Sequence, residues 1–347
     1  MIKPESSYIC QAIDSHNNNG YLFTFFHYQN RISLEIFHGI CDGRGALEFL
    51  KTVVYHYFEL LGFQVESENL VLTLDQEPTS VEIEDSYLKN FSLTGRKLDK
   101  MVRAYHTSGT RFPQEGLGVI NGKVRTEQLR KLVKENKATI SQYMVALLTH
   151  SIIQTGDIKR LCNMPVNICV PIDMRGYYHS KTLRNFFLFF RTSILCKEYK
   201  PSFEEILTKI KNQFSSELDR ERLQKNLNLN VSLGKSTATK CCPLIIKWAL
   251  IRLGHIIGSG IMTSTMSNLG NVVLPSSMNG LLENFEMNFD VADQYTHNLG
   301  IISCNGITTI GFTRCVYETE LEKTFFSYLT DQGLEVEIQS NFWEGVV

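Results

Sequence analysis

The sequence lacks the features that mark disulfide-rich, zinc-binding and nucleotide-binding proteins. Its 347 residues contain nine cysteines, but no C-x-x-C pair and no cysteine and histidine cluster at zinc-finger spacing. Neither a G-x-G-x-x-G motif nor a Walker A loop is present. Because the cysteine count is odd and several cysteines lie in apolar runs, the sequence predicts free thiols in a reducing compartment and no bound metal.

An excess of charge of one sign is also missing. Lys and Arg together number 35 and Asp and Glu number 36, so the formal net charge is −1. Nucleic acids and anionic membranes attract proteins with a basic surplus, so neither is expected as a partner. Hydrophobic residues make up 43% of the chain, which is enough for the sizeable core of a globular protein.

Long uninterrupted apolar runs are absent as well. The amino terminus lacks the apolar core of a signal peptide. The most hydrophobic long stretch, residues 243–262, carries Lys247, Arg252 and His255, and these side chains favour a partly buried helix over a membrane span. The sequence therefore predicts a cytoplasmic protein that has no membrane partner.

The clearest local pattern predicts a β-hairpin followed by a helix. Two runs rich in aromatic and β-branched residues, 21–28 and 31–38, are separated by Gln29-Asn30. In the second run apolar and polar residues alternate, which indicates a strand with one buried face. Apolar residues then recur at helical spacing over about 44–61. The intervening residues are therefore expected to form a strand-to-helix turn.

The remainder of the chain mixes predicted strands and helices without strict βαβ alternation, which indicates α+β layers with mixed sheets rather than a Rossmann fold. We place a lobe boundary near residues 110–120, which divides the chain into a first lobe at 1–115 and a second at 116–347. The predicted helices are at about 126–136, 141–155, 202–225, 241–257 and from about 318, and the predicted strands are at 165–172, 186–196, 285–291 and 334–339, with a hairpin at 299–314.

The candidate chemistry lies in the strand-to-helix turn. His38 closes the predicted strand, Asp42 follows four residues later, and Gly43 comes next. A neutral imidazole suits the role of general base because its pKa lies near working pH. Each residue also has a structural interpretation: His38 as a strand-end residue, Asp42 as a helix N-cap and Gly43 as a turn residue. The residues alone leave both interpretations open.

The run from Phe37 to Gly43 resembles the H-x-x-x-D-G signature of the superfamily of chloramphenicol acetyltransferase, condensation domains of peptide synthetases and plant acyltransferases. More narrowly, the chain is similar to the bacterial alcohol-acetyltransferase-like branch. Further segments that carry the resemblance extend along nearly the whole chain, at residues 19–23, 45–51, 170–175, 182–186 and 263–270.

The resemblance implies a two-lobed, chloramphenicol-acetyltransferase-like fold with an active-site tunnel between the lobes. It implies that His38 is the general base, that Asp42 orients the loop by pairing with an arginine, and that Gly43 leaves room for the substrate. It also implies an acyl-CoA such as acetyl-CoA as co-substrate, a small-molecule alcohol as acceptor and no bound cofactor. The sequence does not indicate an oligomeric state.

The sequence departs from the family pattern at two places. Phe37 stands where condensation domains have a first histidine, although other members of the superfamily also lack it. Relatives begin with a further strand, helix and strand before the segment that matches from Tyr8 onward, so the amino-terminal lobe is expected to be incomplete. The arginine that pairs with Asp42 is then either in that absent part or is Arg175 or Arg184. For Arg175 and Arg184 we favour a different role, which is to hold the loop of the second lobe.

Three polar residues in the segment 263–270 are candidates for contacts with the oxyanion or the acyl donor, namely Ser264, Ser267 and Asn268. Hydrogen bonding within a strand-end turn is an equally good interpretation of this segment. Arg175 follows a predicted buried strand, and we expect it to form an ion pair that braces the lobes rather than a ligand contact.

The leading functional hypothesis is a CoA-dependent O-acyltransferase that moves an acyl group from a thioester to a hydroxyl, with His38 as general base. One alternative is a truncated or degenerate relative that binds ligands without turnover. Another is a condensation-type acyltransferase that forms amides, against which the phenylalanine at position 37 weighs.

Overall fold

The structure, a computed structural model, describes residues 2–6, 9–10, 12–92, 102–113, 116–235, 242–291 and 294–341. Three positions used in the sequence predictions lie outside these ranges. They are Tyr8, at which the family match begins, residue 115, at which the predicted first lobe ends, and residue 241, at which one predicted helix begins.

A three-stranded sheet carries the candidate turn. Strand β1 (Ile2–Pro4) pairs in parallel with β2 (Phe23–Tyr28), and β2 pairs antiparallel with β3 (Arg31–Ile36). The predicted hairpin is confirmed, and its two-residue turn begins at Gln29, which has a positive φ of 48°. Helix α1 (Gly43–Leu60) follows β3 after six residues, as the sequence predicted to within one residue at each end.

A seven-stranded mixed sheet forms the larger part of the described structure. Its strand order is β10-β4-β9-β8-β7-β5-β6. β7 pairs in parallel with β5 and with β8, and the other neighbours are antiparallel. The strands are β4 (Gly118–Arg125), β5 (Val166–Asp173), β6 (Phe187–Ile194), β7 (Ser264–Asn271), β8 (His297–Cys304), β9 (Ile307–Arg314) and β10 (Glu337–Ser340).

The remaining described helices are α2 (Ser86–Lys89), α3 (Thr126–Glu135), α4 (Ile140–Thr155), α5 (Ile158–Leu161), α6 (Arg175–Tyr178), α7 (Phe203–Glu217), α8 (Arg220–Lys235), α9 (Leu244–Gly260) and α10 (Glu320–Asp331), with a short 3₁₀ helix at Ser276–Met278. The prediction of one helix over 202–225 is wrong. Asp219 accepts a hydrogen bond from the backbone N–H of Arg222 at 3.1 Å and begins a new helix there, because aspartate is a strong N-cap.

The predicted strand at 285–291 is also wrong, because this segment has no regular structure. It passes over the sheet at two paired glycines, Gly300 and Gly311. A Cβ built on Gly300 would lie 2.4 Å from the carbonyl oxygen of Met287, so only glycine allows this approach. The carbonyl oxygen of Phe289 accepts a hydrogen bond from the Thr313 hydroxyl at 2.8 Å rather than from a neighbouring strand.

Two apolar clusters determine where the candidate turn lies. The largest cluster packs α4, α7 and α10 on one face of the seven-stranded sheet. A separate cluster joins α1 to that sheet, since Leu47 of α1 packs with Val272, Phe285 and Ile302. The helix that follows His38 is therefore held against the larger sheet by buried apolar contacts.

Candidate active site

His38 lies in the six-residue connection between β3 and α1. The connection turns sharply, since the N–H of Ile40 donates to the carbonyl oxygen of Phe37 at 3.0 Å. The His38 side chain is exposed, and its ring centroid lies 5.4 Å from that of Phe187 at the start of β6. The prediction that His38 closes the strand is wrong, because β3 ends at Ile36 and His38 lies in the turn. Its exposed imidazole is accessible to a second molecule.

Asp42 is the N-cap of α1, as its structural interpretation predicted. Its Oδ1 atom accepts a hydrogen bond from the backbone N–H of Gly45 at 3.1 Å. The residue is only 6% exposed, so its carboxylate needs further partners to offset the loss of solvation. The cap accounts for one of several interactions that this carboxylate makes.

Arg175 supplies the main partner of Asp42. Its two terminal nitrogens lie 3.0 Å from Oδ1 and Oδ2 of Asp42, which is bidentate geometry. The backbone N–H of Phe186 donates to Oδ2 at 2.9 Å. The structure thus places the arginine partner of Asp42 within the chain, and the alternative that assigned it to an absent segment is not needed.

The same guanidinium also holds the loop that follows β5. Its Nε donates to the carbonyl oxygen of Thr182 at 2.7 Å, and one terminal nitrogen donates to that of Arg184 at 2.7 Å. The other terminal nitrogen donates to Asp173 at 2.9 Å. Together with the contacts to Asp42, these interactions engage all three nitrogens of the guanidinium. Arg175 therefore links the candidate turn to the second lobe's loop.

The charge of the Arg175 guanidinium follows from its surroundings. Burial lowers the pKa of the Arg175 guanidinium, but the hydrogen bonds and negative charges of Asp42 and Asp173 outweigh burial and raise the pKa above its ordinary value. Arg175 therefore stays charged and keeps its hydrogen bonds at any working pH.

Asn185 binds the backbone of His38, and no local sequence pattern had identified Asn185 as a site residue. Its side-chain Nδ2 donates to the backbone carbonyl oxygen of His38 at 2.9 Å. Phe187, two residues later, provides the ring beside the imidazole. Tyr87 of α2 fixes the backbone of Phe187, because its hydroxyl accepts from the N–H of Phe187 at 3.0 Å and also donates to the carbonyl of Phe187. Asn185 belongs to the segment 182–186, which is one of those that carry the family resemblance, and this membership was the only indication of a role.

The glycine with the closest approach is Gly45 rather than Gly43. A Cβ on Gly45 would lie 2.1 Å from the carbonyl oxygen of Leu183 and 2.9 Å from Cβ of Cys41. A Cβ on Gly43 would lie 3.0 Å from a terminal methyl of Leu269. The first contact involves backbone, whereas the second involves the end of a side chain that can rotate. Gly45 thus lets the start of α1 lie against the loop held by Arg175.

Replacement of Gly45 by alanine is expected to lower the free energy of unfolding by about 1–3 kcal/mol, because the backbone at Leu183 must move. Gly43→Ala is the matched control, and the higher helix propensity of alanine is expected to offset its mild contact. Urea unfolding of both variants measures the difference. Equal loss of stability in the two variants would show that the contact at Gly45 is unimportant.

The three polar candidates on β7 have different surroundings. The hydroxyl of Ser264 is buried and donates to the carbonyl oxygen of His297 at 2.8 Å, so its single proton is engaged between strands. Asn268 donates to the hydroxyl of Ser141 at 3.1 Å and accepts from the N–H of Gly270 at 2.9 Å. Ser267 lies between them and is half-buried. Leu269, on the same strand, is the residue that approaches Gly43.

Within the part of the chain that the structure describes, no helix has both the length and the apolar character needed to cross a membrane.

No family model matches the sequence, and no curated protein matches it. Solved structures do match in fold. TRI101 of F. sporotrichioides, complexed with coenzyme A and T-2, matches with a TM-score of 0.52 and 10% identity over 92% of this chain and 70% of that chain.

Polyketide synthase associated protein 5 from Mycobacterium tuberculosis matches with a TM-score of 0.51 and 11% identity, over 89% of this chain and 76% of that chain. The chain therefore has the same fold as these two proteins. The predicted resemblance and the predicted two-lobed α+β class are therefore confirmed at the level of fold. Identities near 10% carry no residue roles, so the chemistry must be argued from the geometry of this chain.

Proposed function

We propose that this protein is an O-acyltransferase that moves an acyl group from coenzyme A to the hydroxyl of a small molecule, with His38 as the general base. The observation that carries the proposal is the support of one exposed imidazole from both sides of the turn. Asp42 and Arg175 fix the residues after His38, and Asn185 binds its carbonyl group. Such preorganisation is what a positioned base requires.

The reaction needs no atoms beyond those of the two substrates and the imidazole. The acceptor oxygen attacks the thioester carbonyl carbon while the unprotonated ring nitrogen of His38 takes the hydroxyl proton. The C–S bond then breaks, and the imidazolium returns the proton to the thiolate as it leaves. The products are an ester and free coenzyme A, and His38 is again neutral. A positioned base contributes roughly 100- to 10,000-fold in rate.

The developing oxyanion requires a hydrogen-bond donor, and we assign this role to Ser267 among the three β7 candidates. The hydroxyl of Ser264 and the amide of Asn268 already bind partners within the fold. Ser267 is half-buried on the strand whose Leu269 approaches the start of α1. A single preorganised donor of this kind contributes about 3–4 kcal/mol to catalysis in well-studied enzymes.

A matched structure supports the choice of donor and acceptor classes. TRI101 is described in complex with coenzyme A and T-2, a thioester carrier and a small molecule. We propose the same two classes here, acetyl-CoA or a longer acyl-CoA as donor and a small alcohol as acceptor. Amide formation is the weaker candidate, because Phe37 replaces the first histidine of condensation domains.

Thiol release measured with acetyl-, butanoyl- and octanoyl-CoA tests the reaction class. Each donor is offered with a panel of alcohols, a panel of amines, and no acceptor. We expect acceptor-dependent thiol release with at least one alcohol and none with amines. Amine-dependent release would favour the condensation-type alternative. If no combination of donor and acceptor released thiol, a relative that binds without turnover would be favoured.

Asn185→Ala is expected to lower kcat about 10-fold with little change in the KM for the donor. The hydrogen bond to the His38 carbonyl is worth about 1 kcal/mol, and its loss frees the imidazole from its productive position. Asn163→Ala is the matched control, since Asn163 also donates to a backbone carbonyl, that of Lys159, at 2.9 Å. Steady-state kinetics of both variants provide the measurement, and an equal effect on kcat would exclude a positioning role for Asn185.

A further inference from the structure

Helix α9 exposes an unusual amount of apolar surface. All nine of its leucine, isoleucine and tryptophan side chains are at least 45% exposed, and Ile245 is 83% exposed. The only residue of this helix that is buried is Ser259. The sequence predicted a partly buried helix here, and that prediction is wrong. Soluble proteins rarely leave so many adjacent large apolar side chains in water unless the surface binds something.

The fold nevertheless holds the carboxyl end of α9 in place. The N–H of Ala104 donates to the carbonyl oxygen of Gly260 at 3.1 Å, and the side chain of Gln294 donates to that of Ile256 at 2.9 Å. The helix then leads directly into β7. The exposed surface is therefore a fixed feature of the second lobe.

Helix α9 has an aliphatic face and a basic face, and the basic face also carries Leu244 and Ile251. At 100° per residue, six aliphatic side chains fall within an arc of about 140°. Lys247, Arg252 and His255 fall within an arc of similar width on the opposite side. Trp248 lies among these basic residues, and the guanidinium of Arg252 lies 5.3 Å from its ring centroid. The six aliphatic residues are Ile245, Ile246, Leu250, Leu253, Ile256 and Ile257.

The charged residues near α9 in sequence have one sign. No aspartate or glutamate occurs from residue 222 to residue 282, although the whole chain is almost neutral. Lys247 and Arg252 are therefore not neutralised by acidic neighbours in sequence. The sequence total of −1, from which we expected no membrane partner, conceals this local basic and apolar segment.

We propose that α9 is an interfacial membrane helix that binds the surface of anionic lipid bilayers. It lies parallel to the surface, with its aliphatic face at the boundary between headgroups and acyl chains. Lys247 and Arg252 extend toward lipid phosphates, and Trp248 lies at headgroup level. This proposal does not depend on the acyl-transfer chemistry, because it uses no residue of the candidate active site.

A lipid surface fits α9 better than a second copy of the chain does. A second copy of α9 would bring no acidic side chain to Lys247 and Arg252, because no aspartate or glutamate occurs from residue 222 to residue 282. The phosphates of an anionic bilayer supply the opposite charge, and long basic side chains extend past the apolar boundary to reach them. With 17 residues, α9 is about 26 Å long, which suits a position on the surface rather than across it.

Vesicle flotation of the full-length protein tests the proposal, with vesicles of phosphatidylcholine alone or with 30% phosphatidylserine, at about 0.1 and 0.5 M salt. We expect binding to the anionic vesicles at least 10-fold tighter than to the neutral ones, and weaker at the higher salt. Two double variants should each reduce binding about 10-fold or more. One combines Ile246→Glu with Leu253→Glu on the aliphatic face, and the other combines Lys247→Glu with Arg252→Glu on the basic face. Leu74→Glu and Lys131→Glu, which change exposed residues elsewhere, are the matched controls.

Fluorescence of Trp248 adds a local readout, because Trp343→Phe removes the other tryptophan. A blue shift with anionic vesicles, absent from the α9 variants, supports insertion of this helix. Thermal unfolding of each variant shows whether it is folded. The proposal is overturned by equal binding of the α9 variants and the wild type, by failure of the wild type to bind anionic vesicles, or by a dimer in light scattering that only the apolar-face variant abolishes.

Discussion

Arg175→Met is expected to lower the free energy of unfolding by about 3–5 kcal/mol and to remove acyl transfer. The substitution leaves the buried carboxylate of Asp42 without its bidentate partner, and an uncompensated buried charge is costly. It also removes the donors for the carbonyl groups of Thr182 and Arg184. Urea unfolding and acceptor-dependent thiol release, measured on the same preparation, give the two effects.

Three further variants distinguish the loss of the ion pair with Asp42 from the loss of side-chain packing. Arg184→Met is the matched control, since Arg184 lies in the same loop on the surface, and we expect a change within about 0.5 kcal/mol. Arg175→Lys should lower the free energy of unfolding and the rate of acyl transfer almost as much as Arg175→Met does. An ammonium group cannot make the bidentate contact with Asp42 and also bind two carbonyl groups. Adding Asp42→Asn to Arg175→Met should recover part of the stability. Similar stability for Arg175→Met and Arg184→Met would contradict this account.

Local patterns predicted the first half of the candidate site well. Alternation in β3 and helical spacing in α1 fixed the turn that bears His38, because both signals depend on neighbours in sequence. The N-cap role of Asp42 followed from the same local rules. Each of these features concerns contacts within a few residues.

The second half of the site could not be derived in this way. Arg175 is 133 residues from Asp42, and Asn185 is 147 residues from His38. Nothing in local sequence distinguishes Arg175 from Arg184, so only the path of the chain after β5 decides which guanidinium reaches the carboxylate. The closest approach, at Gly45, likewise depends on where the loop at Leu183 lies.

Two errors of secondary structure and burial have a similar origin. The segment 285–291 has strand-like composition, but the paired glycines of β8 and β9 let it cross the sheet instead. The apolar residues of α9 suggested burial, yet burial requires a partner surface, and the described structure offers none along most of this helix. Hydrophobicity alone shows that a surface avoids water, and tertiary structure decides whether another part of the chain covers it.

His38→Ala is expected to lower kcat by roughly 100- to 10,000-fold while the KM for the donor stays nearly constant. The imidazole is exposed and makes its ring contact only with Phe187 among the ring pairs of the described residues, so its removal should not disturb the core. Urea unfolding is expected to give a change within about 0.5 kcal/mol. Initial rates over a range of acyl-CoA concentrations give both kinetic constants.

His27→Ala is the matched control for this variant. His27 is an exposed histidine on β2 of the same small sheet, and it pairs with Ile32 near the end of β3 that is remote from the turn. We expect wild-type kinetics from it. A fall in kcat of similar size in both variants would indicate a general effect of the sheet on activity, and a large rise in KM for His38→Ala would indicate substrate binding rather than proton transfer.

The central claim, that His38 acts as the base in acyl transfer from coenzyme A to a hydroxyl, is tested most directly by quantifying both products in one reaction. Mass spectrometry gives the amount of ester, and a thiol reagent gives the amount of free coenzyme A. We predict equal amounts of the two from the wild type and from His27→Ala, with His38→Ala near the uncatalysed rate. Ester formation by His38→Ala at the wild-type rate would contradict the account.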